Sequence, residues 1–280
     1  MALPSPRSEA GAAGLAALVA DPGRALVGLD FDGTLAPIVD EPSAARAHPG
    51  AIPAMVRLDQ RIGTLAVITG RPAQVAVDLG AFARAPGLER LVVLGLYGHE
   101  RWDAATDRLA TPVAGAGVAA ARAQVAALLA AGGSPAELED KRLSIAVHTR
   151  RTADPAGELA RLREPLLEIA AGCGLAVEPG RHVLELRPPG MDKGSALLAL
   201  VRERGAGAVL FAGDDLGDLA AFDAVESLRE AGVPGVTVCS SSAEVTALAE
   251  RADIVVDGPA GVVALLDAIA DALPPQPPRS

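Results

Sequence analysis

The sequence predicts an α/β fold: a parallel sheet carrying an inserted α+β block. Three observations carry that reading. Short apolar runs alternate with longer Ala/Leu-rich stretches of helical character, the rhythm of strand–helix–strand repeats. Several of these runs lead straight into polar, glycine-containing motifs, as happens where parallel strands end at a ligand crevice. The middle of the chain breaks the alternation.

The chain has 280 residues, half of them apolar, but only 2% are aromatic. Its core must therefore be built from Leu, Val, Ile and Ala. Met1 to Ala20 reads as a lead and a first helix; Arg7 and Glu9 deny it the sustained apolar core of a signal peptide. The core strands are expected at Leu26–Leu29, Leu65–Ile68, Leu91–Leu94, Ala208–Phe211, Gly235–Val238 and Asp253–Val256. Between them, Val113–Ala131 reads as a helix, Gly132 to Pro135 as a break and Leu143–His148 as an alternating strand. Arg161–Ala171 is again helical, and Ala176 begins a short strand. The expected division is a core of residues 1–111 and 183–280 with an inserted cap over residues 112–182. The proline-rich end, Pro274 to Pro278, reads as a disordered tail.

The formal net charge of −10 disfavours non-specific binding to nucleic acid or to an anionic membrane. No run reaches membrane-spanning length without charges. Cys173 and Cys239 are the only cysteines, too few for a disulfide framework, and they fit a reducing cytoplasm.

Four motifs carry chemistry. Asp30-Phe31-Asp32-Gly33-Thr34-Leu35 follows the first apolar run. Two carboxylates one residue apart repel unless a cation joins them, so Mg²⁺ is the expected cofactor and Asp30 the expected nucleophile. Asp32 is the expected acid/base, with its backbone carbonyl facing the metal. Thr69-Gly70-Arg71-Pro72 ends the second run, where a hydroxyl and helix N-terminal amides can hold phosphoryl oxygens; alone, Thr-Gly is an ordinary turn. Asp192-Lys193-Gly194-Ser195 opens a helix with Asp192 as N-cap. Lys193 and Lys141 are the only lysines among 25 basic residues, which makes both functional candidates. A compact ammonium fits between a phosphoryl oxygen and a carboxylate where a guanidinium does not. Gly213-Asp214-Asp215-Leu216-Gly217-Asp218 follows the fourth run. Asp214 and Asp215 are the expected metal ligands beside Asp30 and Asp32, with Asp215 or Asp218 orienting waters or Lys193. Acids also favour helix N-termini, which accounts for Asp218 but poorly for the adjacent pair.

In this order the motifs resemble those of the haloacid dehalogenase superfamily, which implies a Rossmann-like core and a C2-type cap. Within it the chain resembles the trehalose-6-phosphate phosphatase family. The resemblance rests on Leu184 to Gly194, on Glu139-Asp140-Lys141, on Ile145 to Arg150, on Tyr97-Gly98-His99-Glu100 and on Asp257-Gly258-Pro259. It implies that Glu100, Glu139 and Lys141 touch glucose hydroxyls, that Gly70, Arg71 and Glu185 belong to the substrate site, and that a small-molecule sugar phosphate is split to trehalose and phosphate. It also implies a functional link to a trehalose-phosphate synthase. The chain departs from the family pattern at Tyr97, Thr149, Gly217, Leu219 and Ala220. Two alternatives stay open: a phosphatase for another sugar phosphate, of the sucrose-phosphate or mannosyl-phosphoglycerate type, and a non-catalytic sugar-phosphate-binding domain.

Overall fold

The structure is a computed structural model that describes residues 3–112, 115–180, 182–241 and 246–274. The chain forms two compact units, one of Met1–Thr111 with Asp192–Ser280 and one of Pro112–Met191.

The first unit begins with α1 (Glu9–Ala20), then β1 (Ala25–Leu29), α2 (Ala51–Asp59), β2 (Thr64–Ile68), α3 (Ala73–Gly80), β3 (Val92–Gly95), β4 (Glu100–Asp103) and β5 (Arg108–Ala110). The second unit contains α4 (Ala116–Ala131), β6 (Glu137–Asp140), β7 (Ile145–His148), α5 (Pro155–Gly172), β8 (Ala176–Gly180) and β9 (Val183–Arg187). The chain then returns to the first unit through α6 (Lys193–Arg204), β10 (Ala208–Gly213), α7 (Leu219–Glu230), β11 (Gly235–Ser241), α8 (Thr246–Arg251), β12 (Ile254–Asp257) and α9 (Gly258–Ala272).

The first unit's sheet has the order β12-β11-β10-β1-β2-β3-β4-β5. It is parallel from β12 to β3, and β4 and β5 add antiparallel at one edge. Every residue of β1, β2 and β10 is buried, as strands covered on both faces require. Alternation splits their side chains between two cores. Val27, Leu29, Leu65 and Val67 pack with Leu18, Met55, Leu58 and Ile269 from α1, α2 and α9. Leu26, Ile68 and Phe211 pack on the other face with Leu197, Phe222, Val225 and Leu248 from α6, α7 and α8.

The second unit is a four-stranded antiparallel sheet in the order β6-β7-β9-β8. Ile145, Val147, Leu184 and Leu186 share a core with Val118, Val125, Leu162 and Leu166 from α4 and α5. The strand positions between them carry Glu139, His148, Glu185 and Glu178, so the other face of this sheet is polar.

Two sequence expectations change here. The expected boundary at residues 182/183 moves to 191/192, because β9 pairs with β7 and β8 and so belongs to the second sheet. Strands β4, β5 and β6 went unrecognised, since Glu-Arg-Trp-Asp, Arg-Leu-Ala and Glu-Leu-Glu-Asp carry no apolar run, and so did β9, whose Leu184 to Arg187 entered only as part of a family motif. Val113, where the middle helix was expected to start, lies outside the described residues, as does the expected tail from Pro275.

Candidate active site

The polar motifs gather at the carboxyl ends of β1, β2 and β10, which are neighbours in the sheet although far apart in sequence. Asp30 follows β1, with its amide donating to the Ala212 carbonyl at 2.8 Å, and is 3% exposed. Asp214 follows β10 and is 4% exposed. Two missing side chains make room for this convergence. A Cβ on Gly33, whose φ is +69°, would lie 1.9 Å from Asp214 Oδ2, and one on Gly213 would lie 2.3 Å from Asp218 Cγ. Ser240, at the end of β11, donates to the Gly33 carbonyl at 2.7 Å and holds the turn after β1 from two strands away.

Lys193 opens α6, where the Asp192 carboxylate caps the helix by accepting from the Ser195 amide at 2.7 Å. Its ammonium is buried between Asp30 Oδ1 at 2.8 Å and Asp218 Oδ1 at 2.7 Å. The second oxygen of Asp218 accepts from the amides of Asp214 at 2.9 Å and Asp215 at 3.2 Å, so one carboxylate orders both the lysine and the acidic loop.

Among the described residues, Asp30, Asp214 and Asp218 offer carboxylate oxygens that all lie within 4.8 Å of one another. Burial pushes the Asp30 carboxyl well above the ordinary range; Lys193 opposes this, and Asp218 and Asp214 add to it. Asp214 is pushed up to about 7, first by burial and then by Asp215 and Asp218. Burial disfavours the charge on Lys193, but Asp218, Asp30 and Asp215 outweigh it and hold the ammonium well above its usual value. Three buried acids around one cation leave a surplus of negative charge, and hard oxygen donors with that surplus fit a divalent ion such as Mg²⁺.

The Asp32 side chain lies outside the triad, its two oxygens accepting from Arg71 Nε at 2.6 Å and Nη2 at 2.7 Å, which leaves the backbone carbonyl as the Asp32 atom expected to face an ion. Asp215 turns outward and accepts from the Gly217 amide at 2.9 Å, closing a capping box with Asp218. The i, i+3 geometry of that turn points Asp218 inward, a placement the run of acids did not reveal.

Thr69 is buried, and its hydroxyl accepts from the Arg71 amide at 3.1 Å. Gly70 leaves space for Tyr97, whose hydroxyl would lie 2.8 Å from a Cβ there. Tyr97 itself holds a left-handed φ of 58° and donates its amide to the Thr69 carbonyl at 3.0 Å. Such backbone is uncommon for a side chain of this size and ties the end of β3 to the loop after β2. Glu100, expected against the sugar, is buried at 3% exposure and accepts from the Ala73 amide at 2.8 Å, at the start of α3. Its placement is that of a helix cap.

The remaining site candidates lie in the second unit. Glu139 Oε2 meets His148 Nε2 at 2.7 Å. Glu185 has both oxygens engaged, by Lys141 Nζ at 2.8 Å and by the Ser144 hydroxyl at 2.6 Å. Ser144 was missed because a serine before an apolar strand carries no signal of its own, and Ser240 because a serine near a strand's end carries none either.

With the geometry in place, the comparisons identify the family. Residues 28–255 match the trehalose-phosphatase family model. The chain is 36% identical over 258 residues to a trehalose-phosphate phosphatase of Mycolicibacterium paratuberculosis, covering 87% of this chain and 61% of that protein. It is 34% identical over 268 residues to that of Mycobacterium bovis, covering 90% and 62%. The chain thus spans about three-fifths of the length of these relatives. Among solved structures it resembles a trehalose-6-phosphate phosphatase of Aspergillus fumigatus, with a TM-score of 0.72 at 22% identity, covering 96% of this chain and all of that one. It also resembles a haloacid dehalogenase-like hydrolase of Bacteroides thetaiotaomicron, with a TM-score of 0.61 at 18% identity, covering 87% and 98%. No helix among the described residues is long and apolar enough to cross a membrane. Its fold is that of the haloacid dehalogenase-like hydrolases, and the chain belongs to the trehalose-phosphatase family.

Proposed function

We propose that this chain hydrolyses trehalose 6-phosphate to trehalose and inorganic phosphate by way of a phosphoryl group carried on Asp30. The observation that carries the reading is the buried Asp30–Lys193–Asp218 chain with Asp214 beside it. Asp30 and Asp214, with Asp218 behind them, are the residues that would hold Mg²⁺. When bound, the ion offsets the negative charge that a phosphate dianion would otherwise meet.

The other steps belong to the chain's own residues. Lys193 holds Asp30 Oδ1 at 2.8 Å, which leaves Oδ2 to attack phosphorus. The new bond joins Asp30 to phosphorus, and the bond to the sugar oxygen breaks. Asp32 protonates that oxygen, then takes a proton from the water that hydrolyses the aspartyl-phosphate. Because Arg71 grips both oxygens of Asp32, Asp32 must let go of it before transferring a proton. An incoming phosphoryl group competes for the same guanidinium and favours that release. Thr69 and the backbone at Gly70 complete the phosphate side.

The second unit acts as the cap that selects the sugar. Glu139 and Lys141, two residues apart, offer an acceptor and donors to neighbouring hydroxyls, and Glu185 holds Lys141. A site of this kind rejects analogues that lack a hydroxyl. Trehalose 6-phosphate must come from a glycosyl transfer onto a sugar phosphate, which is the expected link to a synthase. The two free cysteines suit a reducing cytoplasm.

The test is phosphate release across a panel of sugar phosphates, with Mg²⁺ and with a chelator. Selective, chelator-sensitive release from trehalose 6-phosphate is expected. Equal turnover of sucrose 6-phosphate, or unchanged turnover in Lys141→Ala, would reject the sugar assignment. Tight binding without release would favour a sensing domain.

A further inference from the structure

We infer that His148 is a positioning residue that, together with Arg150, fixes Glu139 as a sugar-facing acceptor. The inference rests on the substrate reading above and adds a residue to it. Glu139 lies on β6, an edge strand, and half of its side chain is exposed. A glutamate so placed ordinarily samples several rotamers and loses that freedom only when something holds it.

His148 is what holds it. Glu137 stands directly across from His148, and Glu139 across from Ala146, so Glu139 is the diagonal neighbour on the same face. The His148 side chain is only 12% exposed, and its Nε2 lies 2.7 Å from Glu139 Oε2. On the other side of the ring, Arg150 Nη2 lies 3.0 Å from Nδ1. A guanidinium has donors and no acceptor. Nδ1 must therefore present its lone pair, which places the ring proton on Nε2 and directs it at Glu139. The hydrogen bonds run one way, from Arg150 to His148 to Glu139.

The neighbouring charges leave this direction undisturbed. Glu137 is engaged by Arg151 at 2.9 Å, and the residue across from His148 on β9 is the apolar Val183. Glu185 receives two donors and is spent as a support, whereas Glu139, among the described residues, is held by His148 at Oε2, which leaves Oε1 to the sugar. The outcome is an acceptor held at a set angle beside the remaining ammonium protons of Lys141.

Two measurements test this in the full chain. The first is steady-state kinetics on trehalose 6-phosphate. His148→Phe keeps a ring but has no nitrogen, and it should raise KM about tenfold, the worth of one good hydrogen bond to a charged group, with the loss falling in KM rather than kcat. His148→Gln keeps both an acceptor and a donor and should restore most of that loss. An unchanged KM in the Phe variant, or a Gln variant no better than Phe, overturns the inference. The second is the long-range nitrogen–proton spectrum of the four histidines at pH 8, with His148 assigned from its absence in the Gln variant. A neutral ring protonated on Nε2 is expected; a ring protonated on Nδ1, or a cation, overturns the inference. If the wild-type protein shows no preference for trehalose 6-phosphate, the substrate reading falls, and the ring's protonation state alone decides whether His148 positions Glu139.

Discussion

Two buried aspartates at opposite ends of one sheet show how a structural acid differs from a chemical one. Asp30 and Asp253 are each 3% exposed. Asp253 stands at the amino end of β12, where Ser8, Arg229 and the Thr237 amide and hydroxyl all donate to its carboxylate. Burial opposes its charge, but the donors from Ser8, Thr237 and Arg229 win and hold the carboxyl below its ordinary value. Asp30, at the carboxyl end of β1, shares one lysine with Asp218 and stands against Asp214, and its carboxyl is pushed up. The amino end of the sheet is compensated by its own side chains. The carboxyl end is left short of positive charge, which is where the proposed ion and phosphate would find a use.

The largest break in this comparison should come from Asp30→Asn. Turnover of trehalose 6-phosphate should fall by roughly 10⁴-fold or more, as for loss of a nucleophile, while the protein stays folded. Phosphate release at the wild-type rate would remove Asp30 from the chemistry. Asp253→Ala should do the reverse. Leaving the buried Thr237 amide without its acceptor, and the half-buried Arg229 with the Gly235 carbonyl alone among the described residues, should cost roughly 1–3 kcal/mol of stability by denaturant titration, with activity per folded molecule kept. The same residue sets an acid limit. Its folded-state pKa is depressed, so its stabilising contribution is present above the unfolded pKa near 4 and is lost as pH falls through the folded value. An Asp253→Asn variant should show a shallower loss of stability on acidification; an identical acid profile would locate the sensitivity elsewhere.

Smaller effects sharpen the contrast. Mg²⁺ at about 100 times its dissociation constant should raise stability by about 2.7 kcal/mol, read as a higher thermal midpoint, and Asp214→Asn should abolish the gain. The same shift surviving in that variant would move the ion away from the triad. Glu100→Gln should cost about 1 kcal/mol of stability, as for one weakened cap, and leave KM unaltered. A selective rise in KM would return Glu100 to the sugar.

The parallel core was legible because buried strands are continuous apolar runs, and three of the four polar motifs follow one directly. Asp30, Thr69 and Asp214 could be placed at one crevice from that rule alone. What stayed hidden depended on turn geometry or on register. Whether Asp215 or Asp218 faces Lys193 is settled by a single helical turn, and composition is blind to it. Asp32 neighbours Asp30 in sequence, yet the strand's end sends the two side chains to different partners, Arg71 and Lys193, which spacing alone does not reveal. The strands with charged sequences, β4 to β6, acquire their state from pairing, which no local pattern announces. Strand β9 does alternate, but its sheet is chosen by β7 and β8.

Gly33 has a consequence for mutational tolerance. Nothing larger than hydrogen fits there, because the oxygen of Asp214 occupies the space a methyl group would take. A one-nucleotide change to alanine would displace that carboxylate while the hydrophobic cores on both faces of the sheet stay intact. Under the proposed chemistry, position 33 is therefore a place where inheritance would silence this protein without unfolding it, and screens that score abundance alone would pass such alleles as harmless.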